Sequence, residues 1–189
     1  MQKTIRAFIA IEINDRTREE LSNVQSALKK HLAGSITWVK PANIHLTLRF
    51  LGDIKQEQVE LLKPIMGIVA KNSKHFNMDL GVLGIFPSIS TPRVLWAGIH
   101  FGFDQVCHLN ALLAKQLEDV QFASGEKYFH PHLTLARIKT LECKRDLKQL
   151  LQEHKPREIF STIRSIVLFE SKLSSKGADY TKLFEAKFS

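Results

Sequence analysis

The chain has 189 residues, of which 44% are hydrophobic and 24% are charged, and this balance predicts one compact globular domain over residues 1–189. No apolar run approaches the roughly 20 residues that a membrane span needs, and Glu12 follows too soon for a signal-peptide core, so we expect a cytoplasmic protein. The net charge of +8 favours polyanionic partners such as RNA, because clustered cations release counterions when they neutralise phosphates.

The first half of the chain alternates strand-like and helix-like segments. Residues 6–13 alternate in polarity and are β-branched, which predicts a strand. Asn14 or Asp15 then caps a helix that we expect to run to about residue 32, where Gly34 ends it. Further predicted elements are strands at residues 36–39 and 44–51 and a helix at residues 56–70, with a kink or break at Pro64.

The second half continues in the same mixed order. Extended segments at residues 76–85 and 93–100 are joined by a predicted loop that contains Pro87 and Pro92. Asp104 caps a helix to about residue 120, whose apolar stripe is Val106, Leu109, Leu113 and Leu117. The last predicted elements are a strand at residues 132–138, a helix at 143–153, and strands at 161–173 and 182–188. This order predicts an α+β fold with largely antiparallel sheets and flanking helices.

One short pattern occurs twice. The segment IHLTL at residues 44–48 recurs as PHLTL at residues 131–135, close to half a chain length later. Successive side chains of a strand point to opposite faces, so each copy presents a histidine and a threonine on one side and two leucines on the other. The spacing suggests a duplicated lobe, with the two copies facing each other across a cleft.

Two imidazoles with two hydroxyls suit the cleavage of a phosphodiester. A histidine pKa near 6.5 allows one imidazole to accept a proton from water while a second, protonated one donates to the departing oxygen. The hydroxyls of Thr47 and Thr134 can donate hydrogen bonds to the other phosphate oxygens. From the residues alone, His45 and His132 are interchangeable as acid and base.

The segments RAFIAI (residues 6–11), WVKPANIHLTLRFLG (38–52), TPRVLWAGI (91–99) and HLTLAR (132–137) together resemble the 2H phosphoesterases. Within that superfamily they are most similar to the RNA 2′,3′-cyclic phosphodiesterases, also called 2′-5′ RNA ligases. The resemblance covers nearly the whole chain. It implies a bilobal α+β fold with a motif strand on each side of a central cleft, and hydrolysis of a 2′,3′-cyclic phosphate to a 2′-phosphate without a metal.

The resemblance also implies a role for each motif residue. His45 becomes the proton donor to the leaving 3′ oxygen, and His132 becomes the acceptor that activates water. Thr47 and Thr134 hold the phosphate. Because the reaction is reversible, the same residues would serve 2′-5′ ligation, in which an RNA 5′-hydroxyl replaces water.

Substrate contacts are expected next to the motifs. Phe50 and Arg137 stand five residues after the two histidines, and both side chains can stack on a nucleobase. Simple alternation would turn them into the core, so this hypothesis needs a β-bulge or an early strand end. Arg49 shares the parity of His45 and Thr47, which suggests a substrate contact, with a solvated side chain as the alternative. His130 shares the parity of His132 and could edge the cleft, although a surface or structural histidine is the favoured interpretation.

Other interpretations remain open. Related substrates are a cyclic nucleotide, an ADP-ribose cyclic phosphate, a 2′-5′ oligonucleotide or an RNA 3′ end. A non-catalytic RNA-binding module would have no need of two matched titrating groups. A metal protein is disfavoured, because neither histidine has a nearby acidic or thiol ligand, and Cys107 and Cys143 form no metal-binding spacing. We therefore predict no cofactor, no metal and a monomer.

Overall fold

The computed structural model describes residues 4–118, 122, 128–174 and 177–189. Its helices are α1 (Asp15–Leu28), α2 (Gln58–Lys71), α3 (Phe103–Glu118) and α4 (Leu147–Glu153), with a 3₁₀ helix at Pro41–Asn43. Its strands are β1 (Thr4–Glu12), β2 (Leu32–Ala33), β3 (Ile36–Trp38), β4 (His45–Lys55), β5 (Phe76–Met78), β6 (Leu80–Ser88), β7 (Thr91–Ile99), β8 (His132–Ile138), β9 (Glu142–Cys143), β10 (Ser161–Ile163), β11 (Ser165–Ser174) and β12 (Gly177–Lys187). In this part of the chain no helix is long and apolar enough to cross a membrane.

Helix α1 begins where the sequence predicts and ends earlier. The side chain of Asn14 accepts a hydrogen bond from the Thr17 backbone N–H at 2.8 Å, as an N-cap does. The predicted end near residue 32 is wrong, because the helix stops at Leu28 and the chain then forms β2, which pairs with β9. Gly34 instead follows β2 with a φ of 111°, a left-handed conformation that favours glycine.

Three further predictions are corrected. Pro87 and Pro92 are not in a loop: they lie opposite each other in the β6–β7 hairpin, where β6 is a sheet edge that tolerates a residue without an N–H. Helix α2 does not break at Pro64 but continues to Lys71. Helix α4 begins only after Asp146, whose side chain caps it by accepting a hydrogen bond from the Gln149 N–H.

The main sheet has eight strands in the order β12-β11-β1-β4-β8-β7-β6, with β3 also paired to β8. Each recorded pairing in it is antiparallel, which confirms the predicted α+β class. The two motif strands, β4 and β8, lie at the centre. They meet at one recorded residue pair, Leu46 with Leu133, so the two expected sheets are two halves of one continuous sheet.

The two halves repeat a unit of strand, helix and antiparallel neighbouring strand. In one half the unit consists of β1, then α1, then β4, and β4 pairs with β1. In the other half it consists of β7, then α3, then β8, and β8 pairs with β7. Both units end in a strand that starts with the histidine motif. The motif leucines are buried in the main core, which is also where the predicted stripe of α3 packs. The opposite side of each motif strand is thereby left for the histidines and threonines.

The contact between Leu46 and Leu133, where the two halves of the sheet meet, leads to a prediction about stability. Leu46 is fully buried and pairs with Leu133, so Leu46→Ala should lower the free energy of unfolding by about 2 to 5 kcal/mol. Urea denaturation followed by circular dichroism measures this change. The matched control is Leu61→Ala, since Leu61 is 59% exposed and its loss should change stability by less than about 0.5 kcal/mol. Equal effects of the two substitutions would contradict a buried contact.

Candidate active site

The register of β4 and β8 brings the four motif side chains together. Leu46 pairs with Leu133, and the two strands are antiparallel. In this register His45 lies beside Thr134, and Thr47 lies beside His132. All four side chains are half-buried, whereas the leucines between them are buried. The alternation expected from the sequence therefore holds, and each histidine faces the threonine of the other motif.

Both imidazoles are held by a backbone carbonyl two residues earlier. The Nδ1 of His45 lies 2.7 Å from the carbonyl oxygen of Asn43, and the Nδ1 of His132 lies 2.7 Å from that of His130. Because a carbonyl can only accept, each Nδ1 carries a hydrogen, and the neutral imidazole keeps its lone pair on Nε2. Nε2 is thus the atom that takes up or releases a proton in both residues.

The Nε2 of His45 has a hydroxyl partner within its own motif. It lies 3.0 Å from the Oγ1 of Thr47. A neutral His45 accepts a hydrogen bond from this hydroxyl, and a protonated one donates to it. The threonine therefore stays in contact with the imidazole in either protonation state.

The pKa of His45 lies below the usual value for histidine. Burial is the largest cause, and the positive charges of His132 and Arg137 act in the same direction. The Asn43 carbonyl and the carboxylate of Glu12 oppose the shift without cancelling it. At neutral pH, His45 is accordingly more often neutral than an ordinary histidine is.

Aromatic rings support the imidazole of His45. Phe8 stacks against it with ring centroids 4.7 Å apart, and Tyr180 meets it edge-on at 5.2 Å. Phe8 belongs to a small buried cluster separate from the main core, with Ala10, Val167 and Phe169. The sequence gave no signal for Tyr180, which comes from the distant strand β12.

A second aromatic cluster supports His132. Phe86 meets its ring edge-on at 5.1 Å, and Trp96 stacks on Phe86 at 4.9 Å. The ring of His130 lies 4.9 Å from that of Trp96. The indole lies over Gly84, where any Cβ would collide with it. Trp96 thus forms part of this side of the cleft.

A β-bulge in each motif strand decides where the residues after the motif point. Thr47 pairs with Ala10, but the next β1 residue, Ile9, pairs with Arg49, so Leu48 is an extra residue in β4. The following pair is Phe8 with Phe50. Partners in a register share a face, and Phe50 therefore lies on the same side as His45, next to Phe8 and 53% exposed.

The other motif strand has the same irregularity. Thr134 pairs with Trp96, and Leu95 pairs with Ala136, so Leu135 is the extra residue in β8. Arg137 then pairs with Val94 and is exposed. It lies close enough to His45 to lower the pKa of that imidazole. The bulge that the hypothesis about Phe50 and Arg137 required is present in both strands.

Arg49 does not follow the predicted parity. Its partner is the buried Ile9, so the bulge turns it to the face opposite Thr47. It nevertheless lines a small recess together with Thr47, Phe50, His130 and His132. Its Nε atom is buried and has no hydrogen-bond partner among the described residues. His130 also borders this recess, as its parity with His132 suggested.

Glu12 and Lys182 are site neighbours that the sequence reasoning missed. Glu12 pairs with His45 in the register, and its carboxylate lies 2.6 Å from the Nζ of Lys182. The alternation of β1, which places Glu12 on the face of Phe8, was the available signal for Glu12. Within the described ranges, no group of three or more His, Cys, Asp or Glu side chains is arranged to hold a metal ion.

Known proteins are similar to this chain in sequence. The family model described as LigT like Phosphoesterase matches residues 11–96. The RNA 2′,3′-cyclic phosphodiesterase of Aquifex aeolicus is 32% identical over 190 residues and covers 97% of each chain. That of Thermus thermophilus is 31% identical over 185 residues, which are 95% of this chain and 88% of the relative.

Solved structures agree. A Thermus thermophilus protein, TT0787, superposes with a TM-score of 0.81 at 26% identity, covering 97% of this chain and 98% of that one. The E. coli LigT complexed with 3′-AMP has the same fold, with a TM-score of 0.80 at 23% identity and 99% coverage of each chain. The chain therefore belongs to the LigT-like phosphoesterases of the 2H superfamily, which makes it a phosphoesterase enzyme.

Proposed function

We propose that this phosphoesterase hydrolyses the 2′,3′-cyclic phosphate at the end of an RNA to a 2′-phosphate, with His45 and His132 as acid and base. One observation carries the proposal. Two imidazoles, each bonded through Nδ1 to a backbone carbonyl, leave two Nε2 atoms as proton carriers on adjacent strands. The names of the curated relatives from Aquifex aeolicus and Thermus thermophilus supply the substrate class.

In the proposed reaction, water attacks phosphorus and the bond from phosphorus to the 3′ oxygen breaks. His132 takes the proton from water through Nε2, while His45 gives its proton to the departing 3′ oxygen. The products are a 2′-phosphate and a 3′-hydroxyl, and proton exchange with solvent restores both imidazoles. Opposite placement of base and acid suits the in-line arrangement of attacking and leaving oxygens.

Donors from the protein stabilise the negative charge that builds up on the phosphate oxygens during the reaction. The hydroxyls of Thr47 and Thr134 donate to the non-bridging oxygens, and the Arg137 guanidinium adds a positive charge nearby. These groups can carry out the reaction without a metal ion. The metal-free character of the reaction is part of the proposal.

Phe50, Arg137 and Arg49 are the proposed substrate contacts. Phe50 is exposed on the histidine side of β4, and Arg137 is exposed on the corresponding side of β8. A nucleobase can stack on a phenyl ring or a guanidinium plane. Arg49 would contribute from the recess that it shares with Thr47 and His132. The net charge of +8 supports RNA over a small nucleotide as the substrate.

The first test is a direct assay. The purified protein is incubated with excess EDTA and a short RNA that ends in a 2′,3′-cyclic phosphate. We expect complete conversion to the 2′-phosphate, identified by mass spectrometry and by comparison with synthetic 2′- and 3′-phosphate standards. The controls are adenosine 2′,3′-cyclic phosphate and a 2′-5′ dinucleotide. If the RNA is untouched while one of the controls is cleaved, the substrate is a small nucleotide or a 2′-5′ linkage and not a cyclic-phosphate RNA end. Loss of activity in EDTA would refute the metal-free reaction.

The two-histidine mechanism is tested by substitution. His45→Ala and His132→Ala should each lower kcat by about 10²- to 10⁴-fold, because each removes one proton-transfer group. The matched control is His75→Ala, an exposed histidine outside the site, which should retain full turnover. Thermal unfolding should show all three variants folded. Full turnover in either motif variant would exclude the mechanism.

The pH profile tests which histidine is the acid. If His45 donates the proton, kcat/KM falls as pH rises through its pKa, and burial places that fall at lower pH than an ordinary histidine would. The residual activity of His45→Ala should then lack this alkaline limb while keeping the acidic one. If the acidic limb disappears instead, His45 is the base and the two roles are exchanged.

A further inference from the structure

Both bulges are held by a buried side-chain amide from a helix. The Nδ2 of Asn110, in α3, donates to the carbonyl oxygen of Leu48 at 2.6 Å. The Nε2 of Gln25, in α1, donates to the carbonyl oxygen of Leu135 at 2.9 Å. Leu48 and Leu135 are the two extra residues of the motif strands. The same kind of contact is therefore made at the same position of both motifs.

Both amide side chains are buried. Asn110 is 7% exposed and Gln25 is 1% exposed, and burying a primary amide costs free energy unless it is paired. A bulge leaves the extra residue unpaired and disrupts the ladder around it. The amide supplies a side-chain donor to the carbonyl of the extra residue, and the Leu135 carbonyl also accepts a hydrogen bond from the backbone N–H of Val39 at 2.9 Å. Gln25 also donates to the carbonyl of Val39 at 2.8 Å, which ties β8 to the segment after β3.

The direction of Phe50 and Arg137 depends on these bulges. Without the extra residue, a side chain five positions after the histidine would lie on the leucine face. With it, Phe50 pairs with Phe8 and Arg137 pairs with Val94, on the histidine side. The hydrogen bonds of Gln25 go to two backbone carbonyls, whereas Asn110 also borders the recess lined by Thr47, Phe50 and His132. An effect of Asn110 on substrate can therefore be direct or pass through the strand, and the position of Phe50 in an Asn110 variant distinguishes the two.

We propose that Asn110 and Gln25 are positioning residues that set substrate binding by holding the bulges that present Phe50 and Arg137 to the cleft. This inference rests on the proposed function for its kinetic consequences. The contacts cross between the halves of the sheet: α1 follows β1 but holds β8, and α3 follows β7 but holds β4. Each motif is therefore shaped by the helix of the other repeat.

A double-mutant cycle tests this role for Asn110. Asn110→Leu keeps a similar volume and removes the donor, and it should raise KM for the cyclic-phosphate RNA about tenfold with a smaller change in kcat. In a Phe50→Ala background the same substitution should change KM little, since its effect passes through Phe50. Additive effects on KM would overturn the proposal. The parallel cycle pairs Gln25→Leu with Arg137→Ala.

The control separates positioning from general loss of structure. Thr17→Val also removes a buried hydrogen bond from α1, the one between Thr17 Oγ1 and Ser161 Oγ at 2.8 Å, and it touches neither bulge. It should lower the melting temperature and leave KM unchanged. If Thr17→Val raises KM as much as Gln25→Leu does, the amides have only a structural role. Asn110→Ser, which is too short to reach Leu48, replaces the leucine variant if that protein does not fold.

A crystal structure of the Asn110→Leu protein tests the inference without any assay. We expect Leu48 to join the ladder and Phe50 to leave its position 6.0 Å from Phe8. An unchanged bulge would overturn the proposal whatever the enzyme acts on. A shifted Phe50 in a protein whose wild type leaves the RNA uncleaved would instead retain the positioning role and refute the proposed substrate.

Discussion

The pairing of Leu46 with Leu133 fixes the relation between the two motifs, and the site follows from it. Both leucines must face the core, so the register can slip only by an even number of residues without exposing a buried side chain or burying an imidazole. A slip of two would set threonine against threonine or histidine against histidine. In the register that forms, each histidine stands beside the other motif's threonine. Burial of two leucines thus determines the order of the polar groups on the opposite face.

The neighbours of His45 shift the pKa of its imidazole in opposite directions. Its place against Phe8 and Tyr180 holds the ring in one orientation, and the accompanying burial lowers its pKa. Glu12 acts in the other direction, but its carboxylate is also paired with Lys182. A phosphate entering the cleft brings a negative charge close to the imidazole, which raises its pKa. In the proposed mechanism, the protonated form of His45 that donates to the leaving oxygen is therefore favoured once the anionic substrate is bound.

The sequence predicted those features that depend on local periodicity. The bounds of β8, the apolar stripe of α3 and the faces of the motif residues all followed from alternation or helical spacing. The end of α1 was misjudged because the pairing of β2 with β9 stops the helix, and these strands are far apart in the chain. Tyr180 and Lys182 reach the site through the sheet order alone. The need for the bulges was recognised from the sequence, but the contacts of Gln25 and Asn110 with the extra residues were not, because they join helices and strands that are far apart in the chain.

The repeated framework also explains how two similar motifs acquire different surroundings. Both strands have a bulge at the third residue after the histidine, and both deliver the fifth residue to the cleft. That residue is a phenylalanine in one strand and an arginine in the other, and the supporting rings differ as well. His45 lies against Phe8 and Tyr180, whereas His132 lies against Phe86. Since the motifs themselves are nearly identical, the different roles that the proposed mechanism gives the two histidines have to come from these neighbours.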